Sequence, residues 1–127
     1  MRVLLDECTP RPLARELADV NAVHVHDLGW HGRRNGALLA AMLAEGFTAL
    51  VTVDRNLSYE QNIPVSGVVV IVLRAARNWL SDLRPLLREV RRILASAVPG
   101  EGYLVERSGT QVTLSSGNML YTWASSE

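Results

Sequence analysis

Lysine is absent from this chain: all 13 basic residues are arginine. Any mechanism that needs a lysine is excluded. Cysteine is nearly absent too. A lone Cys8 cannot close an internal disulfide, and the count fits a reducing cytoplasm. Net charge is also missing: 13 basic residues balance 13 acidic ones. No global basic field attracts nucleic acid, so any such binding must use a local patch. No apolar run approaches the roughly 18 residues of a membrane-spanning helix. The start, Met1-Arg2-Val3-Leu4-Leu5-Asp6, is too short in apolar residues to read as a signal peptide. A cytoplasmic protein without membrane partners is therefore expected. Repeats and low-complexity segments are lacking as well.

What is present describes an ordinary globular domain. The 127 residues are 48% hydrophobic and 20% charged, enough for one domain with a core of its own. Residues 2–6, 22–26, 47–53 and 68–73 read as strands. Val68-Val69-Val70-Ile71-Val72-Leu73 is a continuous β-branched run, as suits a strand covered on both faces. Between them lie helical patterns. Thr9 is expected to cap a helix starting at Pro10, with Leu13, Leu17 and Val20 inside. Asn35 is expected to cap a second, with Leu38, Leu39, Met42 and Leu43 inside and Gly46 as its stop. A long helix is expected over 79–98, with Pro85 bending or delaying its start. Residues 103–105 and 111–114 read as a terminal hairpin split by Ser108-Gly109. This alternation implies an α/β domain with a mostly parallel, doubly wound sheet in the order 2-1-3-4. Residues 1–98 would form its α/β core, and 99–127 a C-terminal hairpin and tail.

Chemistry gathers at the strand ends. Asp6-Glu7 closes the first strand and Asp54 the third. In the expected order these strands are neighbours, about 4.8 Å apart. Their carboxyl ends share the crevice where open α/β sheets bind ligands. Clustered carboxylates repel one another and favour a hard divalent cation such as Mg²⁺ or Mn²⁺. Such a cation polarises a phosphate and lowers the pKa of an attacking water. The structural reading of the same residues is helix capping. Asn35 and Asn56 offer neutral oxygens near this edge, or serve as a cap and a turn residue. The polar loop Asn56-Leu57-Ser58-Tyr59-Glu60-Gln61-Asn62 could follow a sugar-phosphate chain, with Tyr59 stacking on a base.

Other features read as structure. Arg84, Arg88, Arg91 and Arg92 lie opposite the leucine stripe of the long helix, as a solvated face does. His24 and His26 alternate along one strand with no acidic or thiol partner at metal-ligand spacing. Pairing of Cys8 with a histidine as nucleophile has only weak support. The apolar tail Met119-Leu120-Tyr121-Thr122-Trp123 would dock on its own domain or on a second copy of the chain, giving a homodimer.

Taken in order, several motifs carry a resemblance. They are Leu4-Leu5-Asp6-Glu7 with Pro10, Leu28-Gly29-Trp30, Asn35-Gly36-x-Leu38-Leu39, and Thr52-Val53-Asp54-Arg55-Asn56 with Gln61-Asn62. Over residues 1–98 the chain resembles short bacterial PIN-like domains related to VapC-type toxin ribonucleases. The resemblance implies a PIN-like three-layer α/β/α sandwich. It also implies Mg²⁺- or Mn²⁺-dependent endoribonuclease activity as the toxin of a toxin–antitoxin pair, with RNA as substrate and a cognate antitoxin as partner. On it, Asp6 matches the first PIN aspartate and Asp54 the aspartate after the third strand. Asn35 and Asn56 fall where related chains carry acids, so this site has less negative charge than a full PIN quartet. Asp6, Asp54 and Asn35 become the expected metal ligands. Asp6, Glu7, Asp54 and Asn56 become the catalytic group, with Glu7 a second ligand or the base that orients water. Arg55, Tyr59, Gln61 and Asn62 become the RNA contacts.

Three rival readings share features with this pattern. A phosphorylatable receiver domain shares the acidic pair but needs a lysine. A dinucleotide-binding fold needs a glycine-rich turn where Cys8-Thr9-Pro10 stands. A catalytically inert PIN-like module, acting through protein or RNA contacts, is the alternative from another functional class.

Overall fold

The computed structural model describes residues 2–30, 32–33, 35–54, 67–113 and 119–123. One seven-stranded sheet organises them, in the order β2-β1-β3-β4-β5-β6-β7. Its strands are β1 (Val3–Leu5), β2 (Ala22–His24), β3 (Ala49–Thr52), β4 (Val69–Leu73), β5 (Gly102–Glu106), β6 (Gly109–Thr113) and β7 (Met119–Trp123). The pairs from β2 through β5 are all parallel. β5–β6 and β6–β7 are antiparallel. The expected α/β class and the 2-1-3-4 order are therefore present. The expected terminal strand pair is present as β5–β6, and the apolar tail adds β7 beside it.

Strand alternation divides the core between the two faces of the sheet. Val3, Leu5, Ala49, Val51, Val69, Ile71 and Leu73 belong to one buried cluster. α1 (Leu13–Glu16), α3 (Leu80–Leu83) and α4 (Leu87–Ser96) cover it with Leu13, Leu83, Val90 and Leu94 among their contacts. Leu4, Leu50, Val68, Val70 and Val72 belong to the other cluster, covered by Leu38, Leu39 and Met42 of α2 (Asn35–Ala44).

Several expected boundaries shift, each for a local reason. Thr9 does not cap a helix. Its hydroxyl and its N–H both donate to the carbonyl of Asp6, at 2.7 and 3.0 Å. Pro10 and Pro12 supply no N–H, and the chain winds through three-residue turns before α1 begins at Leu13. The second strand stops at His24, where Val25–Leu28 turns into a 3₁₀ segment. The long helix over 79–98 is broken into α3, a 3₁₀ turn Arg84–Leu86, and α4. Pro85 cannot donate an intrahelical hydrogen bond at that point. Gly46 ends α2 as expected. Its φ of 79° lets Phe47 N–H reach Met42 O at 2.9 Å while Gly46 N–H bonds Leu43 O, the double closure favoured by a left-handed glycine.

The arginines of α3–α4 and the turn between them join the helices on one face. Arg84 pairs with Glu16 and Arg91 with Asp19, each at 3.0 Å. The hydrogen bond from Arg91 holds the Asp19 carboxyl below its usual range. Glu89 is only 5% exposed. It accepts from Arg92 and from the Thr110 hydroxyl, tying α4 to β6. Burial pushes its carboxyl up. The hydrogen bonds from Arg92 and Thr110 and the Arg92 charge outweigh that push, and the group sits below its ordinary value.

Candidate active site at the carboxyl edge of the sheet

The register brings the first and third strands together at the carboxyl edge. Leu5 is opposite Val51, and the N–H of Asp6 donates to Val51 O at 2.9 Å. The next residue of β3 is Thr52, fully buried. Its hydroxyl donates to Asp6 Oδ2 at 2.8 Å and accepts from the Asp54 N–H at 3.0 Å. One side chain thus bonds both aspartate-bearing segments, and the two segments are two hydrogen bonds apart. Sequence reasoning did not single out Thr52. The available signal was a hydroxyl closing an otherwise apolar strand, where a buried polar atom needs a partner.

Asp6 is half-buried and well occupied. Its Oδ1 accepts from Glu7 N–H at 2.8 Å. Its Oδ2 accepts from Thr52 and also faces the Cys8 thiol at 3.4 Å. A carboxylate offers about four lone-pair directions, so the remaining capacity lies on Oδ1. The fit to a small hard cation is therefore that of a single direct bond from Asp6. Mg²⁺ uses carboxylates in this way, with one or two per ion and water completing its shell.

The neighbours hold this corner in place. Cys8 lies 3.4 Å from the Thr52 hydroxyl. Burial pushes its thiol up, the Asp6 charge adds to that, and the hydrogen bond with Thr52 opposes it. A thiol with a raised pKa stays protonated, which suits a donor to Asp6 and disfavours a nucleophile. His24 is fully buried. Its Nδ1 accepts from His26 N–H at 3.1 Å, and its Nε2 lies 2.8 Å from Thr9 O. With Nδ1 accepting, Nε2 is the atom that donates. Both ring nitrogens are therefore engaged in bracing the turn after β1. His26 is exposed, its ring stacked on His24 at 5.6 Å between centroids.

Glu7 points away from the strand ends toward the loop after β2. Its Oε1 accepts from Gly32 N–H at 2.8 Å. Next to that glycine, the Arg33 guanidinium lies 5.0 Å from the centre of the Trp30 ring. Trp30 in turn packs edge-on against Phe47. This tryptophan covers the α2-side core. Asp54 is exposed beyond β3. Asn35 contributes the first residue of α2. Arg55, Asn56, Tyr59, Gln61 and Asn62 lie outside the described residues.

Among the described residues, no group of three or more His, Cys, Asp or Glu side chains stands where it could hold a metal ion. No helix of the described residues is long and apolar enough to cross a membrane. No family model, no curated protein and no solved structure matches this chain.

Proposed function

We propose that this chain is a Mg²⁺- or Mn²⁺-dependent endoribonuclease with a PIN-like three-layer fold, acting in the cytoplasm as the toxin of a toxin–antitoxin pair. One observation carries the reading: Asp6 and Asp54 follow adjacent parallel strands and are joined through a single buried hydroxyl, that of Thr52. Asp6 and Asp54 would hold the cation, with Asn35 as a neutral third ligand. The bound ion would supply Lewis-acid polarisation of a phosphodiester and a more acidic water. Thr52 keeps the Asp6 carboxylate from rotating. Glu7 either orients water or, through Gly32, anchors the neighbouring loop. Asn56 is the accessory catalytic group, and Arg55, Tyr59, Gln61 and Asn62 contact the RNA.

The test is cleavage of a labelled single-stranded RNA. Activity is expected with Mn²⁺ or Mg²⁺, none with chelator, and none in Asp6→Asn or Asp54→Asn. Parent-like cleavage by both variants sinks the proposal.

A second reading rests on a separate observation. The acidic set at this edge is sparse: no three-member cluster occurs among the described residues, and Asp6 already accepts from three donors. A PIN-like module that binds RNA or protein without turnover accommodates both facts. RNA binding that is unaffected by chelator, with no product in prolonged incubation, selects this alternative.

A further inference from the structure

A cleft of about 700 Å³ opens at the same edge of the sheet, beside the aspartate corner. Its lining includes Val53, the residue before Asp54, together with Arg74, Asn78, Ser81, Asp82 and Arg107. These come from the ends of β3 and β4, from α3 and the segment leading into it, and from the two-residue turn between β5 and β6. The volume lies within the range of roughly 300–1,000 Å³ typical of small-molecule sites.

The charges in the cleft are unequally engaged. Asp82 accepts from Arg77 through both oxygens, at 3.1 and 3.3 Å. Glu106, which also lines the cleft, faces Arg74 at 3.7 Å. Both acids are thereby matched. Arg107 is exposed at the hairpin tip and makes no ion pair among the described residues. The rim therefore presents one arginine in excess. Asn78 and Ser81 add amide and hydroxyl groups that can hydrogen-bond phosphate or sugar oxygens.

An aromatic surface stands in the same segment. Trp79 lies between the lining residues Asn78 and Ser81 and is 61% exposed. The Arg77 guanidinium caps one face of its ring at 4.0 Å. Asp82 holds that guanidinium from the cleft wall, so the ring is tied to the cleft. A large indole left in water contributes no core burial. A fixed, exposed aromatic next to cationic and amide groups is the arrangement that stacks a base and neutralises its phosphate.

We infer that this cleft is a nucleotide subsite, holding the phosphate backbone of a single-stranded RNA that continues from the Asp6–Asp54 corner, with a base stacked on Trp79. The inference rests on the ribonuclease reading for its direction, because Val53 joins the cleft to Asp54. Arg107 neutralises the phosphate. Asn78 and Ser81 hydrogen-bond along the chain.

The experiment measures binding without cleavage: fluorescence anisotropy of a fluorescein-labelled 12-nucleotide single-stranded RNA in chelator. Arg107→Ala should weaken binding by about 5-fold and reduce the magnitude of the salt slope by about one. Trp79→Ala should weaken it by about 10-fold, the loss of one stacked base. Arg2→Ala, at the opposite edge of the sheet, should stay within about 2-fold because it removes the same charge outside the path. Arg107 and Trp79 are both exposed, and circular dichroism verifies folding. Parent-like affinity in Arg107→Ala and Trp79→Ala, or an equal loss in Arg2→Ala, overturns the subsite. Cleavage of the same RNA by the parent in Mn²⁺, measured alongside, keeps the two readings apart: binding that depends on Arg107 and Trp79 without any product leaves the subsite standing and removes the ribonuclease reading.

Discussion

Charged groups occupy two regions of this molecule in different ways. On the helical face, Arg84, Arg91 and Arg92 each meet an acid from another turn or element: Glu16, Asp19 and Glu89. At the carboxyl edge of the sheet, the Asp6 carboxylate and the Asp54 backbone N–H meet at one hydroxyl, with no arginine against Asp6 among the described residues. Arg107 stands a short distance along the same edge without an acid among the described residues. Three of the four arginines on the helical face are matched within the fold. Arg107 at the edge borders a cleft instead. A basic stripe read along a helix is thus weak evidence for nucleic-acid binding when its partners lie elsewhere in the chain. A lone arginine at a strand-end cleft is better evidence.

This contrast predicts separable effects on activity and stability. The largest expected change is in catalysis: Asp6→Asn should reduce metal-dependent RNA cleavage by about 100-fold or more, roughly 2.7 kcal/mol of barrier. Its melting temperature should fall by only a few degrees, since the amide keeps one of the two oxygen acceptors at this half-buried position. Glu89→Ala should do the reverse. It leaves Arg92 and Thr110 without their acceptor and should cost about 2 kcal/mol, below the usual penalty for a broken buried pair because Arg92 is half exposed. The melting temperature should fall by about 6–10 °C while cleavage per folded molecule persists. A cleavage defect in Glu89→Ala larger than its unfolded fraction explains would erase the distinction between the regions.

The same glutamate predicts a pH dependence. Its folded carboxyl lies below the ordinary value of 4.5, so the unfolded state binds a proton first as pH falls. Its contribution is intact above 4.5 and is lost as pH drops through the lower folded value. Denaturation curves of parent and Glu89→Gln should therefore converge in acid. Curves that stay parallel across that window contradict the assignment.

Smaller effects sharpen the comparison. Thr52→Val keeps the shape at the end of β3 but removes the hydroxyl shared by Asp6 and Asp54. Stability should drop by about 1 kcal/mol. Cleavage should fall more than Asp6 affinity for metal alone explains, as measured by Mn²⁺ titration of both proteins. The smallest change belongs to the surface: Arg84→Ala should cost about 0.5 kcal/mol or less, with the difference vanishing in 1 M salt. A cost beyond 1 kcal/mol would show that the exposed pairs are part of the core's cohesion.

Much of the sheet was legible because its signals are local. The β-branched run Val68–Leu73 and the acidic strand ends specify buried parallel strands, and right-handed crossovers leave few orders to consider. Pro85 announced the break in the long helix. Thr9 misled because a threonine ahead of a proline reads as a cap, yet Pro12 follows two residues later. The backbone there closes a tight turn on Asp6 O instead. His24 looked like one of two similar histidines on a strand. It differs from His26 only once the strand ends between them and one ring is enclosed.

The site divides along the same line. Asp6 and Asp54 could be named from their places after apolar runs, whereas Thr52, Arg107 and Trp79 could not be grouped. The cleft draws on four segments spread from Val53 to Ser108, and no spacing rule connects residues brought together by strand pairing.

By itself, the order of residues determined which segments alternate between strand and helix, which side chains seek the core, and where carboxylates end up along each strand. These follow from periodicity, from burial of apolar faces, and from the backbone limits of proline and glycine. Only the tertiary structure decided which charges are already matched, that a single threonine hydroxyl joins the two acidic segments, and that Arg107 borders one cleft with Asn78 and Ser81. Those are relations between distant parts of the chain, and they exist only when the sheet register sets them side by side.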